Sequence, residues 1–269
     1  MVKPLNVEHQ TSNTEQLVTK NALIPICLGI SILFVHSASP FPSDPRGTKR
    51  ILVLGDSISE GFQLRPSEAY PLLLAKKLDA AGLNFQVTNA SQTGGTTEGG
   101  LERLPAHLKR KIDIFILELG INDAFRGVPV EQIQNNLQQI IDKVKARNPN
   151  VRVVIGGMQL PNYAADDYVS AFGKMFADVA AKNGAALVPY LLDGVAGDPA
   201  LNLPDGIHPN VAGQKILAEN VWRVLEPIAR EILKGRGGSP ETPAGRLSQS
   251  PLPVARERRP KRRWRALDK

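Results

Sequence analysis

The stretch that decides the fold reads Ile51-Leu-Val-Leu-Gly-Asp-Ser-Ile-Ser59, in which an aliphatic run stops at a glycine and a serine follows two residues later. A short apolar run of this kind predicts a buried strand. Open α/β sheets bind ligands outside the carboxyl ends of their strands. We therefore expect the Ser57 hydroxyl to lie at the mouth of such a sheet.

The sequence that follows alternates between strand and helix patterns. Apolar runs predict strands at residues 50–54, 85–89, 112–119, 151–155 and 185–188, and amphipathic patterns predict helices at 69–81, 97–109, 130–147, 168–183 and 211–233. Strands that alternate with helices imply a parallel sheet covered on both faces. The predicted class is therefore α/β with a five-stranded parallel sheet, in one domain over residues 50–234.

The formal net charge of +7 belongs to the C-terminal tail. Residues 235–269 hold ten Lys and Arg and three acidic residues, so residues 1–234 are neutral overall. The tail is also rich in proline, and this composition predicts a disordered basic segment. Such a segment suits anionic surfaces, either lipid headgroups or nucleic acid. We expect no specific nucleic-acid partner, and the sequence leaves the oligomeric state open.

The N-terminal segment has the pattern of a secretory signal. Lys20 precedes fourteen uncharged residues at 22–35, and small residues follow at 37–39. This order predicts a signal peptide over residues 1–37, cut before Ala38, and a periplasmic or secreted protein. The apolar run is shorter than the about 20 residues of a membrane span. An uncleaved anchor or a buried strand is the alternative, and residues 38–49 are expected to be a linker.

Serine becomes a nucleophile when a base takes its proton, and histidine is the usual base. Two of the four histidines precede the predicted domain, and His107 falls beside lysine and arginine, which favours a solvated position. His208 comes three residues after Asp205 in Asp-Gly-Ile-His-Pro. Asp205 can then orient one ring nitrogen while the other faces Ser57. Taken alone, the same five residues are equally typical of an ordinary Asp-Gly turn.

Acyl transfer also needs donors for the oxyanion that develops. Gly94 follows the second predicted strand, Asn122 follows the third, and Ser57 offers its own backbone N–H. A plain loop glycine and an Asx turn are the alternatives for Gly94 and Asn122. The sequence has no Gly-x-Ser-x-Gly elbow, no phosphate-binding loop and no cluster of metal ligands. We expect neither a metal nor a cofactor.

Four blocks of the chain together resemble the GDSL esterases, which form the SGNH hydrolase family. The blocks are Gly55-Asp-Ser-Ile58, Gly94, Gly120-Ile-Asn-Asp123 and Asp205-Gly-Ile-His208. Longer segments, such as Glu118–Gly127 and Met158–Tyr163, are most similar to the bacterial acyl-thioesterase, lysophospholipase and arylesterase group. The resemblance implies a flavodoxin-like three-layer α/β/α fold and export to the periplasm. It further implies a Ser57, Asp205 and His208 triad, with Ser57, Gly94 and Asn122 as the oxyanion hole.

The expected function is hydrolysis of carboxylic esters or thioesters of acyl chains through an acyl-enzyme. Leu160, Pro161 and Tyr163, which follow the fourth strand, are candidates for lining the acyl groove, with loop packing as the alternative. A carbohydrate O-deacetylase on the same fold is one alternative function. A non-catalytic module that binds a polyanion or a membrane through the basic tail is another.

Overall fold

A computed structural model describes residues 47–161 and 166–235 of the chain. The predicted signal segment, Tyr163 and the basic tail beyond Gly235 lie outside these residues. The described part contains five strands and seven α-helices. They are β1 (Lys49–Leu54), α1 (Ser57–Glu60), α2 (Tyr70–Ala80), β2 (Phe85–Asn89), α3 (Thr97–His107), β3 (Ile114–Leu117), α4 (Ile121–Phe125), α5 (Val130–Arg147), β4 (Arg152–Gly156), α6 (Asp166–Asn183), β5 (Ala186–Val188) and α7 (Val211–Lys234).

The five strands form one parallel sheet in the order β2-β1-β3-β4-β5. This is the order of flavodoxin-like sheets, and the predicted fold class is confirmed. Helices α2 and α7 pack together, whereas α3, α5 and α6 pack in sequence as a second group. The chain leaves β1 toward β2 on one side and later returns to β3 on the other. A crevice for ligands is expected at that reversal, beyond the carboxyl end of β1.

The core lies on both faces of the central strands. All four residues of β3 are buried, as are Ile51 to Leu54 of β1. Strands that helices cover on both faces read as continuous apolar runs, which is why these two strands were recognisable from the sequence. The apolar run overestimates the length of β3, which spans four residues where eight were predicted. Burial continues past its end at Glu118 and Leu119, so an apolar run alone does not locate the last paired residue.

Two short helices were missed by the periodicity. Helix α1 has four residues and α4 has five, so neither completes the two turns over which an amphipathic pattern is visible. Both begin next to candidate site residues, α1 at Ser57 and α4 at Ile121. They turn the chain sharply after β1 and β3. None of the helices in the described part of the chain is long and apolar enough to cross a bilayer.

A glycine in the first turn of α7 allows that helix to approach the loop that carries His208. A Cβ added to Gly213 would lie 2.3 Å from the backbone oxygen of Leu201, which a flexible side chain cannot relieve. We expect Gly213→Ala to lower the free energy of unfolding by about 1–3 kcal/mol, because overpacking forces the backbone to shift. Urea denaturation measures the difference.

Gly173 in α6 is the matched control. A Cβ there would meet no atom within 4 Å, and the residue is in a helix interior. Because alanine is favoured over glycine in a helix by about 0.8–1 kcal/mol, Gly173→Ala should stabilise the protein. Equal effects of the two substitutions would contradict the close approach of α7 to Leu201.

Candidate active site

The local sequence places Ser57 at the first residue of α1, directly beyond β1. The Asp56 carboxylate accepts the Ile58 N–H at 2.9 Å, which caps the helix, and Gly61 ends it with a φ of 83°. A positive φ of this size favours glycine over residues with a side chain. Ser57 is 6% exposed, so its hydroxyl faces the crevice while most of its surface is covered.

A chain of hydrogen bonds links three of the candidate residues. The Ser57 Oγ lies 2.9 Å from Nε2 of His208, and Nδ1 of His208 lies 2.8 Å from Oδ2 of Asp205. Ser57 and His208 are 151 positions apart in the sequence. This arrangement lets the imidazole accept the serine proton while the carboxylate holds the ring in the required tautomer.

The loop around Asp205 stabilises its ionised form. Its Oδ1 accepts the backbone N–H groups of Ile207 at 2.9 Å and His208 at 3.0 Å. Burial on its own would raise the pKa of Asp205, but these two N–H groups and the His208 ring outweigh it and hold the pKa below its ordinary value. Asp205 is thus a carboxylate at neutral pH, as an acceptor for the Nδ1 proton must be.

Phe62 covers one face of the imidazole. The ring centroids of Phe62 and His208 are 4.4 Å apart, with an angle of 36° between their planes. This contact restricts the rotation of the imidazole. The sequence analysis missed it, because Phe62 follows α1 in a turn and nothing in its local pattern refers to residue 208.

The candidate oxyanion donors converge on the same crevice. Gly94 has a φ of 69°, which favours glycine at this position, and its carbonyl accepts from Arg126 at 3.1 Å. Within the described residues, neither the Ser57 N–H nor the Gly94 N–H donates to a protein acceptor. Both are therefore available to a bound oxygen. A cleft of about 450 Å³ adjoins Gly94, with Arg103 in its wall.

The side-chain amide of Asn122, unlike the N–H groups of Ser57 and Gly94, already donates to protein acceptors. Its Nδ2 donates to Oδ2 of Asp56 and to the carbonyl of Gly95, each at 3.1 Å. An amide nitrogen has two hydrogens, so both are already in use. Asn122 can stabilise an oxyanion only after one of these bonds gives way. The bond to Asp56 would then remain and keep the amide oriented.

A buried polar network supports the nucleophile from behind. The Glu118 carboxylate accepts the Asp56 N–H at 3.2 Å and the Ser59 hydroxyl at 2.6 Å. Tyr70 shares a 2.8 Å hydrogen bond with Ser59. All four side chains are fully buried. The network ties the first turn of α1 to the end of β3, across 62 positions of sequence.

Burial raises the pKa of both carboxyls in this network. The pKa of Asp56 rises to about 7, although the Ile58 N–H, the Asn122 amide and Arg103 oppose the rise. The pKa of Glu118 is raised by burial and by the neighbouring charge of Asp56. The pair therefore retains protons more readily than exposed carboxyls do. Asp56 acts as a cap and as a support for Asn122, and it does not face the crevice.

The candidate groove residues occupy different environments. Leu160 is 8% exposed and belongs to the core, Pro161 is exposed, and Tyr163 lies outside the described residues.

The half-buried position of His107, far from Ser57 in the fold, differs from the solvated position that was predicted. Burial and the nearby Arg103 lower the pKa of His107. Residues 47–161 and 166–235 contain no cluster of metal-ligating side chains.

Exposed apolar side chains lie close in sequence to the candidate residues. Among the described residues, the large hydrophobic side chains that are exposed are Phe125 at 50%, Ile207 at 54% and Val211 at 36%. Phe125 is three positions from Asn122, and the other two flank His208 closely in sequence. Phe125 ends α4 and Val211 begins α7, whereas Ile207 is in the loop between Asp205 and His208.

Known proteins resemble this chain in sequence and in fold. Residues 53–216 match the family model of GDSL-like lipases and acylhydrolases. The chain is 39% identical to esterase TesA of Pseudomonas aeruginosa over 207 residues, which cover 77% of this chain and 98% of that protein. It is 35% identical to thioesterase 1/protease 1/lysophospholipase L1 of Escherichia coli K12 over 179 residues, which cover 66% and 84% of the two chains.

A solved structure shows the same fold. The psychrotrophic esterase EstA from a Pseudoalteromonas species, determined in a form inhibited by monoethylphosphonate, superposes with a TM-score of 0.62 at 29% identity. The superposition covers 66% of this chain and 97% of that one. The range of the family model, residues 53–216, includes the positions of Ser57, Gly94, Asn122, Asp205 and His208. The chain belongs to the GDSL-like lipase/acylhydrolase family and is a carboxylic ester hydrolase.

Proposed function

We propose that this enzyme cleaves esters and thioesters of acyl chains through a Ser57, His208 and Asp205 triad. The observation that carries the proposal is the hydrogen-bond chain from Ser57 Oγ through the His208 ring to Asp205, with distances of 2.9 and 2.8 Å. The esterase and thioesterase names of the relatives support the reaction class. The triad supplies a nucleophile, a base and an orienting carboxylate at one mouth of the sheet.

In the first step, Nε2 of His208 takes the Ser57 proton as Oγ attacks the carbonyl carbon of the substrate. The carbonyl oxygen becomes an oxyanion, which accepts from the backbone N–H groups of Ser57 and Gly94. Asn122 joins them once its bond to the Gly95 carbonyl is released. His208 then gives its proton to the departing alcohol or thiol, and the acyl group remains on Ser57.

In the second step, water replaces the leaving group. His208 takes a proton from the water, whose oxygen attacks the acyl carbon, and the oxyanion forms again at the same donors. The proton returns to Ser57 Oγ as the carboxylic acid departs. Phe62 and Asp205 keep the imidazole in place through both steps, since they contact its face and its Nδ1.

The mouth favours an acyl chain over a sugar. Its exposed side chains Phe125 and Ile207 offer apolar surface beside the catalytic residues. Burying apolar surface contributes about 25 cal/mol per Å², so each added methylene of a bound chain strengthens binding until the surface ends. An acetyl group presents a single methyl group to this rim, so a deacetylase would gain less from it than an enzyme for longer acyl chains. Aryl esters, acyl thioesters and lysophospholipids all fit the proposal.

Hydrolysis of p-nitrophenyl esters from acetate to palmitate tests the substrate class. We expect kcat/KM to rise from acetate to medium chains. We expect Phe125→Ala to remove about tenfold of the medium-chain activity, because a few methylenes in an apolar site contribute about 1–3 kcal/mol. Acetate hydrolysis by the same variant is the internal control and should change less than twofold. An optimum at acetate would contradict the acyl-chain assignment and support deacetylation.

The proposed role of Asn122 predicts a large loss of rate. We expect Asn122→Ala to lower kcat by about 10²–10³-fold with little change in KM, as removal of one oxyanion donor does. Steady-state kinetics on the best p-nitrophenyl ester give both constants. Asn135→Ala, which removes an exposed amide on α5, is the control and should leave kcat unchanged. A rise in KM at constant kcat would instead assign Asn122 to ground-state binding.

A further inference from the structure

A second cleft lies far from the catalytic residues. It has a volume of about 360 Å³ and lies between the C-terminal end of α3 and the first residues of β1 and β2. Ser57 follows the opposite end of β1. Since a strand rises about 3.3 Å per residue, the seven positions from Arg50 to Ser57 separate the cleft from the nucleophile by on the order of 20 Å.

Cations dominate this end of the sheet. We use the term basic face for Lys49, Arg50, Lys109, Arg110 and Lys111. Three of these residues line the cleft together with His107, and no acidic residue lines it. Lys49 and Lys111 approach a carboxylate oxygen of Asp113 at 2.9 and 3.5 Å. One carboxylate is thus shared between two lysines, and Lys109 and Arg110 add exposed positive charge to the basic face.

The dipole of α3 does not account for these cations. A helix dipole stabilises positive charge within its last turn, which for α3 ends at His107. Lys109, Arg110 and Lys111 come after that turn, and all three are exposed. Lys49 and Arg50 belong to another element, β1. Two separate segments therefore bring cations to one face, in a body whose charges, with these five included, sum to zero.

The basic tail begins at the same edge of the sheet. Helix α7 starts beside the catalytic loop and runs back along the sheet, and near its end Glu231 contacts Arg152, the first residue of β4, at 2.6 Å. The chain after Gly235 therefore continues from the edge that carries the basic face. That continuation contains ten Lys and Arg and three acidic residues.

We infer that the basic face is a docking surface for an anionic phospholipid bilayer. Its charge complements phosphate headgroups, and α7 ends at the same edge, after which ten Lys and Arg follow in the sequence. Single-stranded nucleic acid would call for aromatic side chains on which bases stack. None of the exposed large hydrophobic residues of the described chain belongs to the basic face. Docked in this way, the enzyme presents its mouth away from the bilayer, toward substrates in the aqueous phase.

Vesicle sedimentation with the full chain tests this inference independently of the proposed chemistry. Vesicles of phosphatidylcholine alone are compared with vesicles that contain 30 mol% phosphatidylglycerol, at low and at physiological salt. Each cation near an anionic surface contributes about 1 kcal/mol, which is about fivefold in partitioning. We therefore expect a triple variant, K109Q/R110Q/K111Q, to bind anionic vesicles on the order of 100-fold more weakly.

The matched control removes three cations elsewhere. Lys174, Lys215 and Arg223 are exposed on the outer helices, and K174Q/K215Q/R223Q makes the same change in net charge. It should bind anionic vesicles within threefold of the wild type, and thermal unfolding checks that both triple variants are folded. Equal weakening in the two variants, or none in K109Q/R110Q/K111Q, would overturn the inference and assign attachment to net charge or to the tail alone. Tighter binding to a single-stranded oligonucleotide than to anionic vesicles would also overturn it.

Discussion

Replacing Ser57 with alanine should lower kcat for ester hydrolysis on the order of 10⁶-fold, the largest effect we expect from any single substitution in this chain. The substitution removes the proposed nucleophile, because Ser57 Oγ is the group that lies 2.9 Å from Nε2 of His208. Any rate that remains would come from the oxyanion donors and from binding. Initial rates with the best p-nitrophenyl ester, at enzyme concentrations raised for the variant, measure the loss.

A second serine provides the control for Ser57. Ser91 also follows a strand, β2, and its hydroxyl has no partner among the described residues. Ser91→Ala should therefore retain its rate within twofold. A phosphonate probe offers an independent reading, since the esterase EstA is inhibited by monoethylphosphonate. Serine attack at phosphorus displaces the leaving group of the probe, so the mass of the phosphonyl group should appear on the wild type and on Ser91→Ala but not on Ser57→Ala. Labelling of the Ser57 variant would overturn the assignment of the nucleophile.

Replacing Asp205 with asparagine should lower kcat by about 10⁴-fold, with the fold intact. In the wild type, Oδ1 of Asp205 accepts the Ile207 and His208 N–H groups, and the amide oxygen of the variant can still do so. The amide nitrogen then faces Nδ1 of His208 as a donor, so that nitrogen must become an acceptor. The ring proton moves to Nε2, where it blocks acceptance of the Ser57 proton. Steady-state kinetics together with the midpoint of urea unfolding separate this effect from loss of structure.

Asp198 is the matched control for Asp205. It also lies in the loops before α7, and its carboxylate accepts the Ala200 N–H at 2.8 Å, two residues on. Asp198→Asn preserves that acceptor and contacts no catalytic side chain in the described chain, so its rate should stay within twofold. If Asp205→Asn were as active as Asp198→Asn, the carboxylate would have no role in orienting His208, and a triad would be the wrong description.

Much of the candidate site was visible in the sequence because three of its residues come shortly after strands. Parallel strands place their carboxyl ends at one edge, so Ser57, Gly94 and Asn122 converge once β1, β2 and β3 are recognised. His208 and Asp205 were found by chemistry, since a serine needs a base and the base needs an orienting group. The prediction therefore depended on local patterns and on one general property of sheets.

Other features of the site depend on contacts between distant positions. The stacking of Phe62 on His208 and the pairing of Asp56 with Glu118 join segments that no local pattern relates. The two hydrogen bonds that occupy the Asn122 amide also come from separate segments. Such contacts follow from strand register and helix packing, to which side-chain periodicity is insensitive.

The basic face shows most clearly what the sequence determined and what only the tertiary structure decided. The sequence by itself determined the family, the order of strands and helices along the chain, the residues of the proposed triad and the excess of positive charge in the tail. It did not reveal that Lys49 and Lys111 share the Asp113 carboxylate, or that α7 ends at the edge opposite the catalytic mouth. Only the tertiary structure decided these points, because the sheet brings the start of β1, the end of α3 and the end of α7 to the same edge.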